Sequence, residues 1–128
     1  MHKNNLCHIY LVAPTTPEER MEFIVRRGSG FIYYISREGV TGMQSQVASN
    51  LAQQVSKIRA HMTPMKLPVA VGFGVSNPQQ AKLVAQNADA VVVGSAVVNQ
   101  IAENGKSKDL VKRVGKFVKS LADAVKSI

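Results

Sequence analysis

Cysteine is nearly absent: the chain holds one, Cys7. A lone cysteine cannot staple a fold, so a disulfide scaffold is excluded and a reducing cytoplasmic setting is the simplest expectation. Cys7 opens an apolar run, and free cysteine is commonly buried, so a buried structural thiol is expected there. Long apolar stretches are missing as well. No run approaches the roughly 18 residues of a membrane span. Met1-His2-Lys3-Asn4-Asn5 has no apolar segment behind it, so no signal peptide is expected. Long polar stretches are missing too. Charged residues make up 19% and apolar residues 45% of 128, which allows a packed core and argues against disorder. That length suits one domain, taken as 1–128.

Acidic residues are scarce, 8 against 16 Lys and Arg, for a net charge of +8. A basic excess invites nucleic acid or anionic ligands. Much of it lies near the C-terminus, where Lys108, Lys112, Lys116 and Lys119 share one helical face opposite Leu110, Val114, Phe117 and Leu121. This pattern is expected to be the solvated side of an amphipathic helix. Nucleic acid is the weaker reading, because no aromatic residues interleave the lysines as a stacking platform would require.

Along the chain, strands alternate with helices. Residues 7–12 are β-branched and aromatic in character and are expected to form a strand. Thr16, Pro17 and Glu19 suggest a helix start with a capping box. Met21, Ile24 and Val25 supply its buried stripe, and Gly28 its end. Residues 30–36 predict a second strand. Val47, Leu51, Val55 and Ile58 recur at helical spacing to about Ala60. Residues 67–73 predict a third strand, followed by a helix capped by Asn77 and Pro78. Residues 90–94 form a continuous apolar run that suits a strand buried on both faces. A short helix from Ser95, a break at Asn104-Gly105 and a long final helix complete the order. The class is therefore α/β with a parallel sheet. Four βα units are half of an eightfold TIM barrel, or a small open sheet.

In such folds chemistry sits at the carboxyl ends of the strands. Three glycine-bearing segments fall there: Gly39-Val40-Thr41-Gly42, Gly72-Phe73-Gly74 and Gly94-Ser95. Glycine lets backbone N–H groups come close to an anion. Ser95 opens a short helix whose first N–H groups favour phosphate. One such glycine would merely turn the chain; three at successive strand ends point to a phosphate site.

These residues also resemble a known family. Leu11-Val12-Ala13-Pro14-Thr15-Thr16-Pro17 looks like the fifth strand and loop of the tryptophan synthase α chain. Residues 30–42, ending Ser36-Arg37-Glu38-Gly39-Val40-Thr41-Gly42, look like its sixth strand and mobile loop. Gly72-Phe73-Gly74-Val75-Ser76 and Gly94-Ser95-Ala96-Val97-Val98 look like its seventh and eighth strand ends. The Ser-Arg-x-Gly-Val-Thr-Gly run is specific; the other two are common among phosphate-binding barrels. The resemblance implies the C-terminal half of a barrel that cleaves indole-3-glycerol phosphate to indole and glyceraldehyde 3-phosphate. It implies phosphate held by Gly42, Gly74, Gly94 and Ser95. Leu11, Phe73 and Val92 would line the indole pocket, with Tyr33 pointing into it. Arg37 and Thr41 would lie on the loop that closes over substrate and, in the complete family, communicates with the β chain.

The family's catalytic carboxylates lie on earlier strands, and nothing in this chain corresponds to them, so no catalytic residue is assigned. Glu38 is the nearest substitute and is expected to be a solvated loop charge. Glu18 and Glu19 suit a helix N-terminus. Asp89 and His8 fall at the opposite, stabilising face. No cofactor or metal is expected, since no ligand cluster stands at metal spacing, and no Ser-His-Asp order suggests a triad. Half a barrel leaves two open edges, with Tyr33, Tyr10 or Leu11, Val71 and Val92 partly facing water. The chain is expected to pair with itself or with a missing N-terminal half. A non-catalytic, self-associating half-barrel with structural glycines is the alternative reading.

Overall fold

The structure is a computed structural model describing residues 4–36, 44–62, 66–72 and 74–128. Nine elements follow in order: β1 (Tyr10–Val12), α1 (Glu18–Arg27), β2 (Ile32–Ile35), α2 (Gln44–Ala60), β3 (Val69–Gly72), α3 (Pro78–Ala85), β4 (Ala90–Val92), α4 (Ser95–Asn104) and α5 (Leu110–Lys126). The strands form one sheet in the order β1-β2-β3-β4, every pair parallel. Parallel neighbours need a crossover between them, and a helix supplies each one. Four βα units in sequence order are the expected half-barrel topology.

Strand alternation divides the sheet into two faces. Val12, Tyr34, Val71 and Val91 align across it in one row. The first three are buried in the core with Ile32 and Val69. From the helices come Met21, Ile24 and Val25 of α1, Leu51, Val55 and Ile58 of α2, Ala81 and Val84 of α3, and Leu121 of α5. Each fully buried Val, Leu or Ile contributes on the order of 1.5–3 kcal/mol. The neighbouring row, Leu11, Tyr33, Ala70 and Ala90, belongs to the other face. There Leu11 is 55% exposed, Tyr33 is half-buried and Ala90 is exposed.

Two expectations about the strands change. Val71 is fully buried rather than facing water, because its register with Tyr34 and Val91 turns it toward the helices. The apolar run at β4 is not buried on both faces. Ala90 is exposed and Val91, Val92 and Val93 are half-buried, since β4 is a sheet edge with one face uncovered.

Local details change too. Cys7 is exposed, lying before the strand rather than in it. Thr16 makes no capping box; its Oγ1 accepts from the Ala13 N–H at 2.9 Å, and the helix begins after Pro17 with no side-chain cap. Gly28 does end α1, but with φ −66° rather than in the left-handed region. Its need is space: a Cβ there would lie 2.9 Å from Ile32 Cδ1 and 3.2 Å from Leu67 Cδ1. The cap of α3 is as expected, with Asn77 accepting from the Gln80 N–H at 2.9 Å and Pro78 at the first position.

The end of the sheet where the strands begin is tied by Asp89. Its carboxylate accepts from the Val69 N–H at 2.8 Å and from Arg59 at 2.9 Å, joining β3 and α2 to the entry of β4. The Asp89 N–H returns a bond to the Val69 carbonyl. Partial burial pushes this carboxyl up, but the Val69 N–H and the Arg59 guanidinium outweigh it and hold it below the usual range. Lys57 of α2 pairs with Glu18 of α1 at 2.7 Å, and that hydrogen bond and charge lower the Glu18 carboxyl. Both residues thus have structural partners, as their positions suggested.

Candidate phosphate site at the strand carboxyl ends

Gly72 and Val92 are register partners at the ends of β3 and β4. Gly74 and Gly94 each lie two residues beyond them, so both glycines emerge at the same end of adjacent strands. Both are exposed. They differ in conformation. Gly74 has φ +62°, a backbone that an L side chain rarely adopts. Gly94 has φ −106°, which any residue tolerates. Among the described residues, no atom lies within 4 Å of a Cβ built on either.

Ser95 begins α4. The Val97 and Val98 N–H groups both bond to the Gly94 carbonyl, at 3.0 and 3.1 Å. The N–H groups of Ser95 and Ala96 precede these bonds and belong to the set that a helix leaves unpaired at its start. Among the described residues, no side chain caps this terminus. The helix after Gly74 contrasts with it. At α3, Asn77 takes the Gln80 N–H, and Gln80 Oε1 takes the Ser76 N–H at 2.8 Å and the Ser76 hydroxyl at 3.1 Å. One helix start is closed by its own side chains; the other is left open beside two unobstructed glycines. Such a start carries about half a positive charge.

Of the residues expected to line the indole pocket, Leu11, Tyr33 and Val92 fall on the uncovered face of the sheet. Leu11 and Tyr33 are register partners there. Val92 lies two residues beyond Ala90 on the same face of β4. Tyr33 reaches diagonally over Gly72: a Cβ at Gly72 would come within 2.9 Å of Tyr33 Cζ, and closer still to its hydroxyl. Sequence reasoning placed Tyr33 in the site but missed Gly72 as its seat. Parallel register and strand alternation together contain that signal, because Tyr33 opposes Ala70 and Gly72 is the next residue on that face. Gly42, Phe73, Arg37, Thr41 and Glu38 lie outside the described residues.

The described carboxylates all stand away from this face. Glu18, Glu19 and Glu22 are on α1, Glu103 on α4, Asp109 before α5 and Asp123 on α5, while Asp89 is at the opposite end of the sheet. The described part of the site offers backbone N–H groups, one hydroxyl, a phenol and apolar walls.

Comparison with known proteins places this geometry in a family. The profile of the tryptophan synthase alpha chain family matches residues 1–126. The tryptophan synthase alpha chain of Opitutus terrae is 56% identical over 96 residues, covering 75% of this chain and 35% of that protein. The alpha chain of Geotalea daltonii is 47% identical over 119 residues, covering 93% of this chain and 44% of that protein. The crystal structure of tryptophan synthase subunit alpha from Legionella pneumophila superposes with a TM-score of 0.79 at 34% identity, covering 99% of this chain and 45% of that one. The chain thus spans less than half the length of the relatives it matches. With a half-barrel sheet, adjacent glycine loops and a match along nearly its whole length, the chain belongs to the tryptophan synthase alpha chain family.

Proposed function

We propose that this chain is the phosphate-binding half of a tryptophan synthase α barrel, holding the phosphate of indole-3-glycerol phosphate at Gly74, Gly94 and Ser95. The observation that carries this reading is the uncapped start of α4 beside two exposed glycines with open space before them. Gly94 is the more telling of the two. Neither its φ nor any described neighbouring atom demands glycine, and a closely held anion is the reason proposed for its missing side chain. Gly42 completes the cradle in this reading. Leu11, Tyr33, Phe73 and Val92 line the indole pocket. Arg37 and Thr41 lie on a closing loop that answers to the β chain in the complete enzyme.

The reaction of the complete enzyme is a carbon–carbon cleavage in tryptophan biosynthesis, run in the cytoplasm. It needs an acid and a base on the indole and the glycerol hydroxyl. This half supplies the grip on phosphate and the pocket wall; the carboxylates belong to a complementary half. The alternative, structural glycines without a ligand, predicts no response to phosphate.

The test is a titration followed by amide chemical shifts. Inorganic phosphate or indole-3-glycerol phosphate is expected to move the Gly74, Gly94 and Ser95 resonances, and Gly94→Asp to abolish the response by placing a carboxylate where the anion sits. Unmoved resonances at all three positions would remove the reading.

A further inference from the structure

The path from Gly74 into α3 is anchored on both sides of the glycine. Before it, the Gly72 carbonyl accepts from the Ser36 N–H at 3.0 Å. After it, Val75 is 2% exposed and belongs to the core. Ser76 is exposed, yet both of its donors go to one acceptor. Its N–H bonds to Gln80 Oε1 at 2.8 Å and its hydroxyl at 3.1 Å. Only the oxygen of a carboxamide can accept, so these bonds fix which end of the Gln80 side chain faces Ser76.

This arrangement differs from an ordinary helix cap. Asn77 is the N-cap of α3 and takes the Gln80 N–H at 2.9 Å, which satisfies the helix start in the usual way. In a capping box the side chain three residues on returns to the N–H of the N-cap itself. Here Gln80 reaches one residue further back, to Ser76, and so grips the loop rather than the helix end. Gly74, between the anchors, has φ +62°, and no described atom lies within 4 Å of the place a Cβ would take. Glycine has the most backbone freedom to lose, and steric contact does not restrict it here. Its conformation is set along the chain, by Gly72 before it and by Val75 and Ser76 after it.

We infer that Gln80 is a positioning residue for the phosphate site: through Ser76 it holds the Gly74 backbone in the conformation that presents its N–H to the anion. The inference rests on the phosphate reading proposed above. Gln80 touches no ligand in this role. A donor held in place beforehand does not have to be ordered when the anion arrives, which is the gain from preorganisation. Together with Asn77, Gln80 also keeps donors at the start of α3 occupied, so the anion settles against Gly74 and the open start of α4.

The test titrates the full 128-residue chain with inorganic phosphate, follows the Gly74, Gly94 and Ser95 amides, and measures the backbone order parameter at Gly74. Gln80→Leu keeps a good helix former and removes the acceptor. It is expected to lower the order at Gly74 and to weaken phosphate binding about fivefold or more, the effect of having to order one backbone residue on binding. Gln80→Glu keeps an acceptor for both Ser76 donors. At about 0.15 M salt, which screens its added charge, it is expected to bind within about twofold of wild type. Ser76→Ala removes the hydroxyl bond alone from an exposed residue and is expected to stay folded and to lose a smaller part of both order and affinity. Circular dichroism of each variant separates lost affinity from lost fold. Gln80→Leu binding phosphate as tightly as wild type, or more tightly, would overturn the inference and leave the phosphate reading standing. Equal losses in Gln80→Leu and Gln80→Glu would do the same, because the Ser76 bonds would then not be what matters. Ser76→Ala losing neither order nor affinity would also count against the clamp. A wild-type chain that does not answer to phosphate would remove the phosphate reading and this inference with it.

Discussion

Gly72 shows how one missing side chain sets the position of another. Tyr33 rests over it on the uncovered face, and even a methyl group at residue 72 would meet the ring at 2.9 Å or less. Overpacking costs about 1–3 kcal/mol in a well-packed core, and the low end, about 1 kcal/mol, applies on this uncovered face, where the Tyr33 ring can swing aside. Gly72→Ala is therefore expected to lower stability by that amount in a urea melt. Combining it with Tyr33→Leu is expected to return most of the loss, since the clashing ring is gone. An additive double mutant would mean that the two side chains do not share that space. Gly74 and Gly94 separate in the same experiment. Gly74→Ala forces a side chain into the left-handed region and is expected to cost about 1–2 kcal/mol. Gly94→Ala meets neither a clash nor a positive φ and is expected to cost less than Gly74→Ala. If their order were reversed, the contrast in backbone conformation would not be what distinguishes them.

At the scale of elements, Asp89 joins three of them, α2, β3 and the entry of β4. Removing it leaves the partly buried Val69 N–H without its acceptor, a loss of about 1–3 kcal/mol. The Arg59 limb is solvent-exposed on both sides and adds little. Asp89→Ala is thus expected to destabilise clearly, and Arg59→Ala only slightly. The dependence on pH follows from the lowered carboxyl. Its unfolded value is near 3.8 and its folded value lies below that. The stabilisation is full above the unfolded value and is lost as pH falls through the folded one. The gap between wild type and Asp89→Ala is therefore expected to hold at neutral pH and to narrow in acid below about pH 4. A gap that widened in acid would reverse the sign of the argument.

Order and type of the elements were legible because their periods differ. Leu51, Val55 and Ile58 stand at helical spacing and are buried together, and the helix around them starts only slightly earlier than expected. Local polar chemistry was less legible. Thr16 had two donors within reach, and it took the Ala13 N–H across a turn rather than the helix start. Which face of β3 meets the helices also escaped the sequence. In Val69-Ala70-Val71-Gly72 every residue is small or apolar, so the run carries no alternation, and only pairing with β2 assigns Val71 to the core. That Gly74 and Gly94 follow the ends of adjacent strands was readable from chain order. The Asn77 cap of α3 was readable too; the second closure there, Gln80 taking the Ser76 N–H, was not, because a glutamine inside a helix has no fixed partner in sequence.

At the scale of the whole molecule, half a barrel separates binding from cleavage. In the proposed reading, the phosphate loops are those at the ends of β3 and β4, and both belong to this half. The chemistry needs carboxylates facing the inner wall, and the described ones stand on the helices or at the far end of the sheet. A missing acid and base removes about 10²–10⁴-fold each. Self-pairing does not change this, because a second copy brings the same side chains to the wall. The isolated chain, monomer or dimer, is therefore expected to bind phosphate yet release no detectable indole from indole-3-glycerol phosphate. Adding the separately expressed N-terminal half of a related α chain is expected to restore indole release, and to do so less well with Gly94→Asp than with the wild-type chain. That last comparison locates the contribution of this half: if restored turnover were the same with either, the phosphate grip at α4 would play no part in catalysis. Indole release by this chain alone at the rate of a complete α chain would place the acid and base among residues 37–43, where Glu38 is the only carboxylate.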